Sequence, residues 1–355
     1  MYGTKYDHRG NTMNEFLNLQ KRLVPEVIEI TEKRYSILRA IEFNQPVGRR
    51  ALAGILGQSE RWVRSELDIL KSQNLIYVQA LGMMVTDEGS EVINKLRDYI
   101  SELKGLKDLE KAVREMLNIR EFIAVPGDTE NELQVVVEMA KAAFEYIKGI
   151  IEDNDIIAVS GGYSALSVAE NVRRIDAQNI TIVPARGGIK TDMERQANIV
   201  AEKLAKNIGG NYYLLHLPDN INEDMLKRMA DDPDIAKVLN YIAETDVLIY
   251  GLSSFESISR KRNFTEEQVE ELKALNVRAE AVGCYFDANG NIVYKSGSIG
   301  IKPEHLDSIK TVMSVGGGAR KAEAIVLTSK GRKNRVVVTD EAAAREIYKI
   351  LKGGN

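Results

Sequence analysis

The stretch Pro46-Val-Gly-Arg-Arg-Ala-Leu-Ala-Gly-Ile-Leu-Gly-Gln-Ser-Glu-Arg-Trp-Val-Arg-Ser-Glu-Leu-Asp-Ile-Leu70 decides how this chain is read. Leu52, Ile55 and Leu56 give its first half an apolar stripe, and Gly57 supplies positive φ where that helix must end. Ser59 stands where an N-cap belongs, and Val63, Leu67 and Leu70 then recur at helical spacing. Arg61, Arg64, Ser65, Asp68 and Lys71 fall on the opposite face. Two short amphipathic helices about a tight turn predict a helix-turn-helix, whose second helix lies in the major groove of DNA.

The flanks extend that reading. Tyr35, Ile37, Leu38 and Ile41 predict a supporting helix, while Leu75–Val78 and Met83–Val85 alternate about Gly82 like the wing of a winged helix. Between residues 33 and 79 the eight basic residues Lys33, Arg34, Arg39, Arg49, Arg50, Arg61, Arg64 and Lys71 face four acidic ones, Glu42, Glu60, Glu66 and Asp68, although the whole chain carries a formal net charge of -4. Positive charge is concentrated where phosphates would be met. Arg61 and Arg64, near the start of the second helix, are the expected base readers, and Arg49 and Arg50 the expected phosphate contacts. Ser59, Ser65 and Lys71 complete the predicted DNA-facing set. The competing reading is a surface hairpin with solvated arginines.

The remaining composition narrows the classes. With 355 residues, 44% hydrophobic and 28% charged, the chain suits two or three globular domains rather than long disordered tracts. Cys284, the only cysteine, excludes an intrachain disulfide and a thiolate cluster, and His8, His216 and His305 form no metal motif. No stretch reads as a signal peptide or membrane span, so a cytoplasmic protein without a metal or nucleotide cofactor is expected. A boundary is predicted after residue 104. Residues 1–104 would form the winged helix-turn-helix with flanking oligomerisation helices, and residues 105–355 an effector-binding α/β domain.

Asp87 to Asn118 carries apolar residues at steps of three and four and predicts helix, broken near Gly105. Its apolar face, with an N-terminal helix Asn14 to Ile30 kinked at Pro25, could form the dimer that a palindromic operator requires. From residue 119 seven short apolar runs alternate with helical stretches: Phe122–Val125, Ile156–Ser160, Ile180–Pro184, Tyr212–Leu217, Val247–Gly251, Val312–Val315 and Val336–Thr339. The helices are expected near 131–149, 165–175, 193–208, 234–245, 265–275, 319–328 and 341–351. Such alternation predicts a parallel sheet covered by helices, an open Rossmann-like α/β fold. Cys284–Asp287 and Ile292–Lys295 read as an inserted hairpin.

Four loops at the carboxyl edge of that sheet are rich in glycine: Ser160-Gly-Gly-Tyr-Ser164, Ala185-Arg-Gly-Gly188, Gly251-Leu-Ser-Ser254 and Gly316-Gly-Gly-Ala-Arg-Lys321. Glycine lets backbone amides approach an anion, helix N-termini favour its charge, and open α/β folds bind ligands on this edge. With Arg186, Lys190 and Lys321 among them, an organic phosphate is the expected ligand. The dinucleotide and P-loop glycine spacings are both absent.

Gln45-Pro-Val-Gly-Arg-Arg-Ala-Leu52, Ser59-Glu-Arg61 and Leu67-Asp-Ile-Leu-Lys-Ser-Gln-Asn-Leu75, followed by Val183-Pro-Ala-Arg-Gly-Gly188, Glu280-Ala-Val-Gly-Cys-Tyr-Phe286 and Gly316-Gly-Gly-Ala-Arg-Lys-Ala-Glu-Ala-Ile325, resemble the SorC family of bacterial sugar-responsive transcription regulators. The likeness runs from about residue 14 to the C-terminus. It implies a repressor of an operon for the triose part of glycolysis, bound to operator DNA as a dimer or tetramer and released by fructose 1,6-bisphosphate. It also implies an effector site built from the loop at Gly162, Tyr163 and Ser164, from Arg186, Gly187 and Gly188, from Glu280 as acceptor of sugar hydroxyls, and from Gly316, Gly317, Gly318 and Lys321. An arginine after the fifth strand corresponds to Arg260, Lys261 or Arg262. Tyr163 departs from the pattern, standing where a threonine is expected, and brings a monophosphate such as fructose 6-phosphate into consideration. The rival is a sugar-phosphate isomerase or deaminase fused to a DNA-binding module, with Glu280 or a carboxylate near His216 as base.

Overall fold

The computed structural model describes residues 19–20, 22–188, 193–218, 223–257, 264–296 and 299–353. Its contacts divide the chain into two compact units, Met1–Lys107 and Asp108–Asn355.

In the first unit α1 (Pro25–Asn44), α2 (Arg49–Leu56) and α3 (Glu60–Ser72) precede the strands β1 (Ile76–Gln79) and β2 (Gly82–Val85), and α4 (Asp87–Leu103) follows. Pro25 opens α1 at its first turn, where a missing N–H costs nothing, and helical residues 19–20 and 22–23 precede it, with Val24 N donating to Gln20 O at 2.8 Å at the break. Residues 14–18 of that expected helix lie outside the described residues. The turn forms as its sequence dictates: Gly57 adopts φ 61° at the end of α2, and the Ser59 hydroxyl accepts from Trp62 N at the start of α3. β1 and β2 pair antiparallel, and Val47 bridges Met83 on their far side, so the wing is pinned to the segment entering α2. Ile37, Leu38, Ile41, Leu52, Val63, Leu70, Ile76 and Ile93 make one continuous core.

Gly105, at φ 64°, separates α4 from α5 (Leu106–Leu117), and the second unit begins within α5 at Asp108. Seven strands then form one parallel sheet: β3 (Glu121–Val125), β4 (Ile156–Val159), β5 (Thr181–Pro184), β6 (Asn211–Tyr212), β7 (Val247–Tyr250), β12 (Thr311–Val315) and β13 (Arg335–Asp340). Their spatial order is β3-β13-β12-β7-β4-β5-β6. Six of them follow the doubly wound Rossmann order, with β3 added beside β13 and the direction of winding reversing between β4 and β7. The helices α6 (Gln134–Lys148), α7 (Tyr163–Asn171) and α8 (Ala197–Ile208) cover one face over Ile157, Val159, Ile182, Ile249 and Met313. Helix α5, with α10 (Pro233–Ala243), α12 (Ala322–Ser329) and α13 (Glu341–Leu351), covers the other over Ala158, Val183, Leu248, Val312 and Val337. The short α9 (Glu223–Met229) precedes α10. Glu110 of α5 accepts from Ala124 N at 2.8 Å and so occupies an amide of the edge strand β3.

Two expectations need correction. The fourth run, Tyr212–Leu217, yields only a two-residue strand, because Leu215 and Leu217 leave the ladder to enter the core. The inserted hairpin, β10 (Cys284–Asp287) and β11 (Ile292–Lys295), belongs to a four-stranded antiparallel sheet completed by β9 (Val277–Ala281) and β8 (Leu252–Ser254). Helix α11 (Glu266–Ala274), closed at its start by a capping box from Thr265 and Gln268, leads into β9.

Candidate functional site

In the first unit, Arg61, Arg64, Ser65, Asp68 and Lys71 all emerge on the exposed face of α3, opposite the buried Val63, Leu67 and Leu70. Arg49, Arg64 and Lys71 line one groove of about 290 Å³ with the wing residues Val78, Gly82 and Met83. Arg50 is 94% exposed, with Nε 3.8 Å from Glu60 Oε1, a pair that water screens and a phosphate can displace. The Ser65 hydroxyl donates back to Trp62 O at 2.7 Å, and the Ser59 hydroxyl is engaged in the cap. Two of the basic residues counted in the sequence do not reach this surface. Arg39 is buried against the Tyr35 ring at 5.4 Å, and Arg34 Nε holds Glu66 at 2.8 Å.

In the second unit a cleft of about 440 Å³ opens at the carboxyl edge of the large sheet. Its lining comes from the segments that follow β3, β4, β8 and β12 and from α6. Tyr163 and Ser164 enter from the start of α7, Ser254, Glu256 and Ser257 from the end of β8 and beyond, and Gly317, Arg320 and Lys321 from the loop after β12. Thr129, Glu130, Leu133, Val136 and Met139 close the remaining side from the loop after β3 and from α6.

The donors of the cleft follow from the backbone. Gly162 takes φ 108°, and its own N–H is spent on Arg195 O at 2.8 Å. The first amide donating within α7 is Leu166 N, to Gly162 O, which leaves the Tyr163, Ser164 and Ala165 amides with no acceptor inside their helix. Those three N–H groups and the positive end of the helix favour an anion. Gly316 N donates to Val338 O and Gly318 N to Asp340 Oδ2, so the second glycine loop presents a fixed shape rather than a row of open amides. From the end of the same loop, the Lys321 side chain folds back over Gly316. The Tyr163 ring, 46% exposed, lies 5.4 Å from the Arg195 guanidinium.

Asp340 is the keystone. It is fully buried at the end of β13, and its Oδ2 accepts from Thr129 N, Thr129 Oγ1 and Gly318 N, each at 2.8 Å, while Oδ1 caps α13 through Ala343 N at 2.8 Å. One carboxylate thus ties two walls of the cleft to the sheet. A side chain at Gly317 would stand 2.5 Å from Asp340 Oδ2, so only glycine fits there.

Arg186, Gly187, Gly188 and Glu280, also implied by resemblance, do not line the cleft. Arg186 and Glu280 are each more than nine-tenths buried, with Arg186 Nη1 3.4 Å from Glu280 Oε1, and Glu280 Oε1 also accepts from Gly283 N at 3.0 Å. The register of β8 on β9 places Glu280 opposite Ser253, next in chain to the cleft residue Ser254. Gly187 N and Gly188 N donate to Ile299 O and Leu217 O, both at 2.8 Å, so their amides hold loops together. Lys190, Arg260, Lys261 and Arg262 lie outside the described residues. Cys284 is buried beside Glu280, and burial together with that carboxylate pushes its thiol up to about 12, which leaves it unreactive. His216 is exposed and lies beyond β6, not in an apolar strand. Among the described residues no group of three or more His, Cys, Asp or Glu is placed to hold a metal ion, and no helix is long and apolar enough to cross a membrane.

Thr129, Glu130, Glu256 and Asp340 carry no glycine signature, and the sequence reading passes over them; Arg320 lies within the glycine loop Gly316–Lys321 but is not singled out there. The one legible hint is Asp340 directly before the amphipathic α13, the position of an N-cap.

A winged-helix unit joined to a Rossmann-like unit with a cleft at the carboxyl edge of its sheet is the build of a ligand-controlled transcription regulator. Family comparison agrees for both units. Residues 30–100 match the CggR N-terminal DNA binding domain, and residues 101–349 match the family described as "Putative sugar-binding domain". The chain is 35% identical over 339 residues to the central glycolytic genes regulator of Bacillus subtilis, covering 95% of this chain and 99% of that one. It is 32% identical to the protein of the same name from Priestia megaterium, over the same shares of both chains. Among solved structures, a "putative SorC family transcriptional regulator" of Enterococcus faecalis superposes with a TM-score of 0.64 at 30% identity, over 68% of this chain and 100% of that one. This protein belongs to the SorC family of bacterial transcriptional regulators.

Proposed function

We propose that the protein represses glycolytic genes and that a sugar phosphate bound in the cleft, fructose 1,6-bisphosphate before others, releases it from operator DNA. The relatives named as central glycolytic genes regulators support the target. The observation that carries the ligand is the convergence of the start of α7, with Tyr163 and Ser164, and of Lys321 in one cleft at the carboxyl edge of the sheet. One phosphate sits against Tyr163, Ser164 and Lys321, with Gly162 and Gly316–Gly318 shaping the backbone around it. The Arg186–Glu280 pair, with Glu280 paired opposite Ser253, orders the sugar-hydroxyl side, and Arg260, Lys261 or Arg262 supplies a further cation. Residues 1–104 deliver the output and residues 105–355 receive the signal, in a dimer or tetramer that presents two reading helices to one operator.

Calorimetric titration with fructose 1,6-bisphosphate and fructose 6-phosphate tests this. Losing a charge-assisted hydrogen bond costs about 1.5–3 kcal/mol, so Lys321→Ala is expected to weaken binding by roughly 10- to 150-fold. Unchanged affinity in Lys321→Ala, or no binding by the unaltered protein, contradicts the assignment.

A further inference from the structure

We propose that Glu130 is a displaceable internal anion that holds Arg320 until the phosphate of the ligand takes its place. This rests on the reading of the cleft as a sugar-phosphate site. Glu130 and Arg320 both line that cleft, from the loop after β3 and the loop after β12 respectively. Glu130 Oε2 lies 3.2 Å from Arg320 Nε, and Oε1 accepts from Arg320 N at 3.2 Å. A carboxylate is therefore seated on a backbone amide and a guanidinium together, the two kinds of donor a phosphate seeks. Gly318 makes room for it: a Cβ there would stand 2.7 Å from Glu130 Oε1.

The arrangement allows exchange. The Glu130 backbone is fixed, since its N–H donates to Asp128 Oδ1 at 2.9 Å and the preceding Thr129 is tied to Asp340. Only the side chain has to swing. The Arg320 side chain is 81% exposed and that of Glu130 31%, so water weakens the pair and the cost of parting them is small. A dianionic phosphate brings more charge and a third oxygen to the same donors. Glu130 therefore lowers affinity for every anion and selects for the more highly charged ones, setting the ligand concentration at which the regulator responds.

The test is calorimetric titration of the full chain with two probes, inorganic phosphate and fructose 1,6-bisphosphate, in the unaltered protein, Glu130→Gln and Arg320→Ala. Glu130→Gln keeps size and removes charge; it is expected to bind both probes about three- to tenfold more tightly, with the gain shrinking as salt is raised. Arg320→Ala is expected to bind both more weakly. If Glu130→Gln weakens the sugar bisphosphate and leaves phosphate unchanged, Glu130 is instead an acceptor for sugar hydroxyls and the proposal is overturned. Equal affinities in all three proteins overturn it as well, with the cleft reading left standing on the Lys321→Ala result. Absence of binding in all of them removes the cleft reading and the proposal together.

Discussion

At Asp340 a single side chain holds the receptor cleft in shape. Its carboxylate serves four donors on three segments, and truncation would strand the buried Gly318 and Ala343 N–H groups with no acceptor. Each such orphan costs about 1–3 kcal/mol, so Asp340→Ala should lower stability by about 3 kcal/mol or more in urea unfolding and also loosen phosphate binding. A variant of full stability would show that the bonds are dispensable. Cys284 makes a separate prediction. Its folded pKa of about 12 lies above the ordinary value of 9.0, so the folded state retains a proton that the unfolded state releases between those values. Its contribution is fully present below pH 9 and fades as pH rises toward 12. Cys284→Ala should therefore flatten the loss of stability across that window, and an unchanged pH profile would argue against it.

The recognition helix and its wing set the next scale. Arg64 shares a groove with Arg49 and Lys71, whereas Arg50 stands free in solvent apart from its loose contact with Glu60. Arg64→Ala should remove about 1–3 kcal/mol of discrimination against altered operators, and Arg50→Ala should weaken all duplexes alike and lower the salt slope by about one. Anisotropy titrations at several salt concentrations separate the two, and an equal loss on every sequence for Arg64→Ala would reject base reading. Gly82 carries the wing. It sits at φ 143°, where a Cβ would lie 2.8 Å from Val47 N, and Gly82→Ala should cost about 1–3 kcal/mol and detach the wing from the segment at Val47. The elements of both units were legible where burial imposes a pattern. Strands such as Ile156–Val159 and Val247–Tyr250 are buried on both faces and read as unbroken apolar runs. Strand β9 was not, because Arg278 faces out and the charged Glu280 is buried, which erases the alternation. Thr129 and Glu130 were illegible for another reason. Their place in the cleft depends on β3 lying beside β13, with Val125 opposite Asp340, a pairing across more than two hundred residues that no local pattern encodes.

For the whole molecule the central matter is how occupancy of one unit changes the output of the other. A ligand shifts an equilibrium only by its differential affinity for the two states, so release of DNA requires the sugar phosphate to favour the arrangement that binds DNA less well. By reciprocity, operator DNA must lower affinity for the sugar phosphate by the same factor. The most direct measurement is fluorescence anisotropy of labelled promoter DNA bound to the protein while fructose 1,6-bisphosphate is added. Release is predicted over the concentration range in which the ligand binds, and Lys321→Ala should form the initial complex undiminished but release it only at roughly 10- to 150-fold higher ligand. DNA occupancy that stays constant up to saturating ligand, or a Lys321→Ala variant that responds like the unaltered protein, would contradict control through the cleft.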